Sequence, residues 1–161
     1  MIKVQAVNTN KIKTFVGRIY PGVDLIEGIK EICEKNNIEY GVIPTIIGSL
    51  SSGCIVYAIP HDGNKLGIKY SDPVHIEGPL ELLCCQGFIG KGEDGEFQIH
   101  LHGLLADKDM RVIGGHFVSQ GNIVLATAEV MIHAVEDAGF IRKYDEETGF
   151  PLFNFIKINE K

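Results

Sequence analysis

Most of the chain has the residue pattern of strands, and one segment has that of a helix. Residues 11–20 are predicted to form the first strand, which ends at the turn signal Pro21-Gly22. Asp24 is placed as an N-cap, with Glu27 three residues later as its capping-box partner. Apolar residues at helical spacing then predict a helix of about three turns that ends at Asn36-Asn37; they are Leu25, Ile29, Ile32 and Cys33.

The middle of the chain is rich in predicted strands. Ser51-Ser52 is expected to separate two of them, and Gly78-Pro79 to separate another two. Connections this short favour antiparallel pairing, because a parallel crossover needs a dozen or more residues. The predicted strands cover residues 40–50, 53–59, 66–70, 73–77, 80–90 and 96–106.

The last third of the chain continues this pattern. Strands at 111–119 and 122–135 are predicted to form a hairpin around Gln120-Gly121-Asn122. A final strand is expected over 152–158. One helix among many strands indicates an α+β fold, with a mainly antiparallel, mixed β-sheet and few helices. We find no linker or internal repeat, and therefore expect one compact domain over residues 8–158.

Composition agrees with a globular domain in the cytoplasm. The 161 residues are 45% hydrophobic and 22% charged. We find no run of about 18 apolar residues and no signal-peptide pattern, so we expect neither a membrane span nor secretion. The four cysteines, none in a C-x-x-C pair, are interpreted as reduced and buried side chains: Cys33, Cys54, Cys84 and Cys85.

The charge argues against a duplex-DNA-binding surface. The net charge is −6 with neutral histidines. Only three of the 15 basic residues are arginines, namely Arg18, Arg111 and Arg142, and no run of basic residues occurs. A non-specific DNA binder needs clustered cations to displace the counterions of the phosphates. A local basic patch on an oligomer remains the alternative.

Three of the six histidines fall close together and suggest a metal site. His100 and His102 are two residues apart on a predicted strand, so both side chains project from one face. His116 lies in the next predicted strand, which an antiparallel pairing would bring alongside. Three histidines with an open fourth position are the layout of a catalytic zinc site. The alternative is that these histidines face solvent or hydrogen-bond to their neighbours; His61, His75 and His133 are interpreted in that way.

Glu129 is unusual because it lies in a largely apolar predicted strand, residues 124–132. A buried carboxylate needs a partner, or its pKa rises. We favour an exposed position or an ion pair with an arginine. The functional alternative is that Glu129 orients a ligand histidine or acts as a general base.

Several segments together resemble the plants-and-prokaryotes-conserved (PPC) domain. The resemblance is carried by the His-x-His-Gly motif at 99–103, the Gly-Gly-His motif that closes 107–116, and Thr-Ala-Glu-Val at 127–130. Further similarities, colinear with the family over about residues 10–145, lie in the segments 22–27, 41–50 and 81–83.

This resemblance implies an α+β domain that assembles as a homotrimer. It implies that His100, His102 and His116 bind a divalent metal, usually zinc. Prokaryotic members often carry a DNA-binding label. The plant members, however, bind A·T-rich DNA through an Arg-Gly-Arg-Pro segment that this chain lacks, and Pro79 stands where they have arginine. Met110 replaces a glycine that is frequent in the turn before Arg111, which predicts a different turn.

Three functions follow as hypotheses. The first is a homotrimeric zinc protein with an unknown small-molecule ligand or regulatory role. The second is a metal-dependent hydrolase or lyase in which Glu129 handles protons, favoured slightly by the similar overall fold and three-histidine zinc of acetolactate decarboxylase. The third is a DNA-binding regulatory protein, as the family label suggests but the charge disfavours.

Overall fold

The computed structural model describes residues 3–158, which form ten strands and one helix. In chain order these are β1 (Ile12–Ile19), α1 (Leu25–Lys35), β2 (Gly41–Val56), β3 (Ala58–Pro60), β4 (Ile68–Tyr70), β5 (Val74–Gly92), β6 (Phe97–Ala106), β7 (Val112–Phe117), β8 (Val124–Val135), β9 (Ala138–Asp145) and β10 (Phe150–Lys157).

Eight of the strands form one sheet in the order β1-β8-β2-β7-β6-β5-β9-β10. Strand β2 also pairs with β5, so β2, β7, β6 and β5 close into a ring. The pairings are antiparallel except for a short parallel contact between β5 and β9, and β3 and β4 form a separate two-stranded sheet. The mixed, mainly antiparallel sheet is therefore confirmed, but the fold is mainly β. The α+β class overstates the helix, because the long strands enclose most of the core themselves.

Helix α1 forms where the capping pattern predicts it. Asp24 Oδ1 accepts hydrogen bonds from the backbone N–H groups of Ile26, at 2.9 Å, and Glu27, at 3.4 Å. Leu25, Ile29 and Cys33 are fully buried against the sheet. The apolar face of the helix predicted from the sequence is the face that packs against the sheet.

Two of the predicted boundaries between strands are a single irregularity inside two long strands. Ser51-Ser52 lies within β2 and Gly78-Pro79 lies within β5. Leu50 pairs with Leu80 and Ser52 with Glu77, so the two residues 78–79 oppose Ser51 alone. This is a β-bulge, a position at which the missing N–H of proline costs no ladder hydrogen bond.

The predicted hairpin between 111–119 and 122–135 is wrong. Strands β7 and β8 do not pair with each other: both lie along the same edge of β2, β8 beside residues 41–50 and β7 beside Ile55 and Val56, while β5 occupies the opposite edge. Between β7 and β8 the chain continues along this edge of β2 through Asn122, a fully buried residue. Asn122 Oδ1 accepts from the backbone N–H of Cys54 at 2.7 Å, and Asn122 Nδ2 donates to the carbonyl of Val118 at 2.7 Å. These hydrogen bonds replace those of a tight turn.

The sequence pattern also misses β9. Ala138 and Phe140 of this strand are buried, with Val135, in a small second core. Strand β9 pairs with β10 along its whole length, and β10 corresponds to the strand predicted over 152–158. The additional strand places Arg142 beside Gly92 of β5.

All four cysteines are free thiols, and three of them, all but Cys84, are buried. Cys84 and Cys85 point to opposite sides of β5, as expected for neighbours on a strand. Within residues 3–158, we find no helix that is long and apolar enough to span a membrane.

Candidate metal centre

Strands β6 and β7 bring three histidines onto one outward face. On β6, Leu101 is fully buried, so His100 and His102 on either side of it point away from the core. His102 pairs directly with His116 across the antiparallel β6–β7 ladder. On β7, the neighbouring Phe117 is buried at 2% exposure, which leaves His116 on the same outward face.

The three imidazole rings form a nearly equilateral triangle. Their centroids are 4.9 Å apart for His100 and His102, 5.1 Å for His102 and His116, and 5.0 Å for His100 and His116. His102 Nε2 lies 3.0 Å from His100 Nε2 and 3.3 Å from His116 Nδ1. One nitrogen from each ring lies within 4.8 Å of the others.

A glycine next to His102 allows β6 to pack closely against the neighbouring strand β5. Gly103 pairs with Gly115 at the level next to the histidine pair. A Cβ atom at Gly103 would lie 2.3 Å from Cys85 Sγ and 2.5 Å from the carbonyl oxygen of Cys84. The His-x-His-Gly motif therefore needs its glycine for packing against β5.

The surroundings hold the three imidazoles in the neutral form. Burial lowers the pKa of His100 to about 4, with further lowering by the charges of Arg142 and His102. Burial likewise lowers the pKa of His116 to about 4, with smaller effects of His100, His102 and Arg142. The pKa of His102 is also lowered by burial. Neutral imidazole is the form that binds metal ions.

This donor set fits a zinc ion. In a tetrahedral site with Zn–N bonds of about 2.0–2.1 Å, ligand nitrogens stand about 3.3 Å apart. The contacts from His102 Nε2, at 3.0 and 3.3 Å, are close to that spacing. Among residues 3–158 the cluster offers three nitrogen donors, and a zinc ion held by them would have a fourth position for another ligand. Imidazole donors alone also suit copper, iron or nickel.

Aromatic rings and one arginine surround the cluster. The Tyr70 ring lies 5.6 Å from the ring of His116, and the Phe153 ring 6.4 Å from that of His100. The guanidinium of Arg142 lies 5.9 Å from the centre of the Phe153 ring. These residues come from β4, β9 and β10, so the site is assembled from segments far apart in the sequence.

Two clefts open beside the histidines, and Arg142 lines both. One, of about 160 Å³, contains His100 and Tyr70. The other, of about 370 Å³, contains His116, together with Glu27 of helix α1. A separate cavity of about 440 Å³ lies at the end of α1, around Asn37, and none of the three histidines lines it. The chemistry is therefore expected at the smaller clefts.

Glu129 lies outside the three-histidine cluster. It is exposed on β8, in register with Arg18 of β1 and Ile47 of β2. The guanidinium of Arg18 donates instead to Thr127 Oγ1 at 3.1 Å and to the Ala126 carbonyl at 3.4 Å. In this chain Glu129 is thus on a different set of strands from the three clustered histidines.

The other histidines lie apart from the cluster, as predicted. His133 Nδ1 is 3.0 Å from Thr14 Oγ1, and His75 Nε2 is 3.9 Å from Cys54 Sγ. His61 is exposed.

Sequence reasoning missed Tyr70 and Arg142 as residues of the site. Neither belongs to a motif, and both lie about 30 residues from the histidine segment. A signal existed for Arg142, since it follows the apolar residues Phe140 and Ile141.

Two solved structures resemble this chain over nearly its whole length. A metal-containing protein from Archaeoglobus fulgidus is 28% identical, with a TM-score of 0.75 over 95% of this chain and 99% of that one. A plant- and prokaryote-conserved (PPC) protein from Pyrococcus horikoshii is 26% identical, with a TM-score of 0.76 over 96% of this chain and all of that one.

A curated relative is much longer than this chain. The bifunctional protein GlmU of Synechococcus sp. (strain JA-3-3Ab) is 26% identical over 156 residues, which are 97% of this chain but 22% of that protein. The chain thus spans about a fifth of its relative's length.

The Plants and Prokaryotes Conserved (PCC) domain model matches residues 7–136, which include β1 to β8 and all three clustered histidines. The chain belongs to the Plants and Prokaryotes Conserved (PCC) domain family.

Proposed function

We propose that this protein is a cytoplasmic homotrimer that holds one zinc ion per subunit on His100, His102 and His116. Its open coordination position receives a small-molecule ligand. The observation that carries the proposal is the set of three outward imidazoles whose nitrogens lie within 4.8 Å of one another. The metal-containing relative from Archaeoglobus fulgidus supports it further. The four free thiols fit the reducing cytoplasm.

The three-ligand site favours a functional over a structural metal. Structural zinc sites normally complete four protein ligands, whereas catalytic sites keep one position for water or substrate. A zinc ion bound here would polarise a carbonyl or lower the pKa of a bound water. The fold has its own large core, so the metal is not needed to hold it together. The remaining question is which ligand meets the ion.

Elemental analysis of purified protein tests the metal assignment. We expect one zinc per chain in the wild type and almost none in His102→Ala or His116→Ala. His61→Ala and His133→Ala are matched controls, because these histidines lie elsewhere, and should keep full metal content. Equal metal content in wild type and His102→Ala would contradict the assignment, as would metal-free wild type after growth with added zinc.

The trimer proposal is supported by apolar side chains on outward strand faces. Val16 of β1 is 77% exposed and Ile47 of β2 is 49% exposed, on the two sides of β8. Leu104 of β6 and Val112 of β7 form a second exposed apolar area near the histidines. A closed three-fold ring needs two different surfaces on each subunit, one for each neighbour. These two faces are suited to that role.

Light scattering tests the trimer. We expect a mass three times the 17.7 kDa of the chain. Val16→Glu and Ile47→Glu should each lower this mass, because they would bury a charge in an apolar contact. Glu34→Lys, an exposed change on α1, is the control and should leave the mass unchanged. A wild-type mass near 18 kDa at micromolar concentration would overturn the proposal.

We also propose a catalytic role for Glu129, and this role depends on the trimer. Glu129 lies in register with Ile47, on the face proposed as a subunit contact. A proton-handling role would then act on the metal site of a neighbouring subunit. Glu129→Gln should keep both metal and trimer, and should lose turnover of a small-molecule substrate once one is found. Loss of metal in this variant would instead indicate a ligand.

A further inference from the structure

We propose that Arg142 anchors the carboxylate of a small organic acid beside the three histidines. This inference rests on the proposed metal function, and it names the class of ligand that the site receives. It assigns a role to a residue outside the segment matched by the family model, which ends at residue 136.

The side chain of Arg142 is held in place by its neighbours, but within residues 3–158 its charge is not neutralised by an ion pair. Its Nε donates to the carbonyl of Pro151 at 3.3 Å, and its guanidinium lies over the ring of Phe153. Among residues 3–158, the ion pairs within 4.0 Å involve other basic residues. The side chain is half-buried. A partly desolvated guanidinium without a carboxylate is a favourable site for an anion from solution.

The position of Arg142 links this anion site to the metal ligands. Arg142 lines the cleft that contains His100 and also the cleft that contains His116. Its positive charge is close enough to lower the pKa of both histidines. A planar carboxylate matches the fork of a guanidinium, which donates two parallel hydrogen bonds. An acid bound by Arg142 would therefore have its remaining atoms next to the three imidazoles.

The rest of the first cleft selects a small apolar tail. Apart from His100, Arg142 and Tyr70, its wall is formed mainly by apolar side chains, which are Ala58, Leu66, Ile68, Phe150, Pro151 and Leu152. This wall, around a cleft of about 160 Å³, suits the short aliphatic part of a small acid.

Binding of 2-methylpropanoate to the zinc-loaded protein tests the proposal by ligand-observed NMR. The neutral isostere 2-methylpropanamide is the chemical control. We expect the acid to bind at least tenfold more tightly than the amide, since a hydrogen bond between charged groups typically strengthens binding by about ten- to a hundredfold. Equal affinities of acid and amide would overturn the proposal without any variant.

Variants locate the effect. Arg142→Gln should weaken binding of the acid about ten- to a hundredfold and leave the metal content unchanged, and Arg142→Lys should retain part of the affinity. Lys143→Gln, the exposed neighbour on β9, is the charge-matched control and should bind normally. Unchanged affinity in Arg142→Gln would overturn the proposal. Metal analysis of the same samples separates this failure from failure of the metal site: a wild type that holds zinc but ignores the acid refutes the Arg142 role alone.

Discussion

His102 faces His116 directly across the β6–β7 pair, with His102 Nε2 3.3 Å from His116 Nδ1. The turn between the two strands sets this register. Asp107 Oδ1 accepts from the backbone N–H groups of Asp109, at 2.8 Å, and Arg111, at 2.9 Å. A slip of one residue would move His116 to the buried face of β7. The turn therefore determines whether a third imidazole joins the cluster.

The metal-free protein should lose stability as the pH falls from about 6.5 to about 4. In this window unfolded histidines, with a pKa of 6.5, bind protons that folded His100 and His116, with pKa values of about 4, exclude. The unfolded state then binds more protons, so the free energy of unfolding decreases as pH falls. We expect a loss of about 1–3 kcal/mol, below the full effect because both rings are partly exposed.

Urea unfolding of chelator-treated protein at pH 7, 6, 5 and 4.5 measures this loss. The double variant His100→Asn/His116→Asn is the control, since it lacks both titrating rings and keeps the other acid-sensitive groups. Its free energy of unfolding should change less over the same range. Parallel curves for the two proteins would contradict the prediction.

Asn122→Ala should destabilise the fold by about 1–3 kcal/mol. The substitution leaves the buried N–H of Cys54 without its acceptor, and an unsatisfied buried donor costs this much. Chemical denaturation measures the effect. Asn10→Ala, at an exposed position, should change the free energy of unfolding by less than about 0.5 kcal/mol. Similar midpoints for the two variants would show that the connection between β7 and β8 does not depend on Asn122.

Met110→Gly should stabilise the protein by about 0.5–1 kcal/mol. Met110 adopts a left-handed backbone conformation with φ of 62°, which is strained for any residue with a Cβ atom. Its side chain is 87% exposed, so its removal costs little packing. Thermal melting and metal analysis should show a higher melting temperature and unchanged zinc content. Lys108→Gly in the same turn is the control, and a melting temperature that rises equally there would refute the backbone explanation.

Duplex DNA should bind weakly at physiological salt. The net charge of −6 opposes binding to phosphates, and the 15 basic residues include no run of basic side chains. Fluorescence anisotropy with a labelled duplex, at about 0.15 M salt, should give a dissociation constant weaker than ~10⁻⁶ M. Retention at low salt that disappears with added salt agrees with this prediction. A tighter constant that persists at 0.15 M would contradict it.

The elements that the sequence predicted well are those set by local interactions. The cap at Asp24 and the buried face of α1 depend on residues within two turns of one another. The common face of His100 and His102 follows from strand alternation alone, as does the opposite orientation of Cys84 and Cys85.

The errors arise where distant strands decide the outcome. Ser51-Ser52 and Gly78-Pro79 each have the local signature of a turn, yet they meet in one bulge of the long β2–β5 pair. Gln120-Gly121-Asn122 likewise has the signature of a hairpin. Instead, Asn122 is hydrogen-bonded to Cys54 of β2, and β7 and β8 follow one another along the same edge of that strand.

The sequence by itself determined the helix, most of the strands and the three metal-ligand candidates, because side-chain periodicity and capping act over a few residues. Only the tertiary structure decided what surrounds those histidines. Tyr70, Arg142 and Phe153 come from β4, β9 and β10, which lie outside the ring of β2, β7, β6 and β5, and the packing of these strands beside the ring brings them to the site. Burial lowers the pKa values of His100 and His116, and no local pattern encodes it.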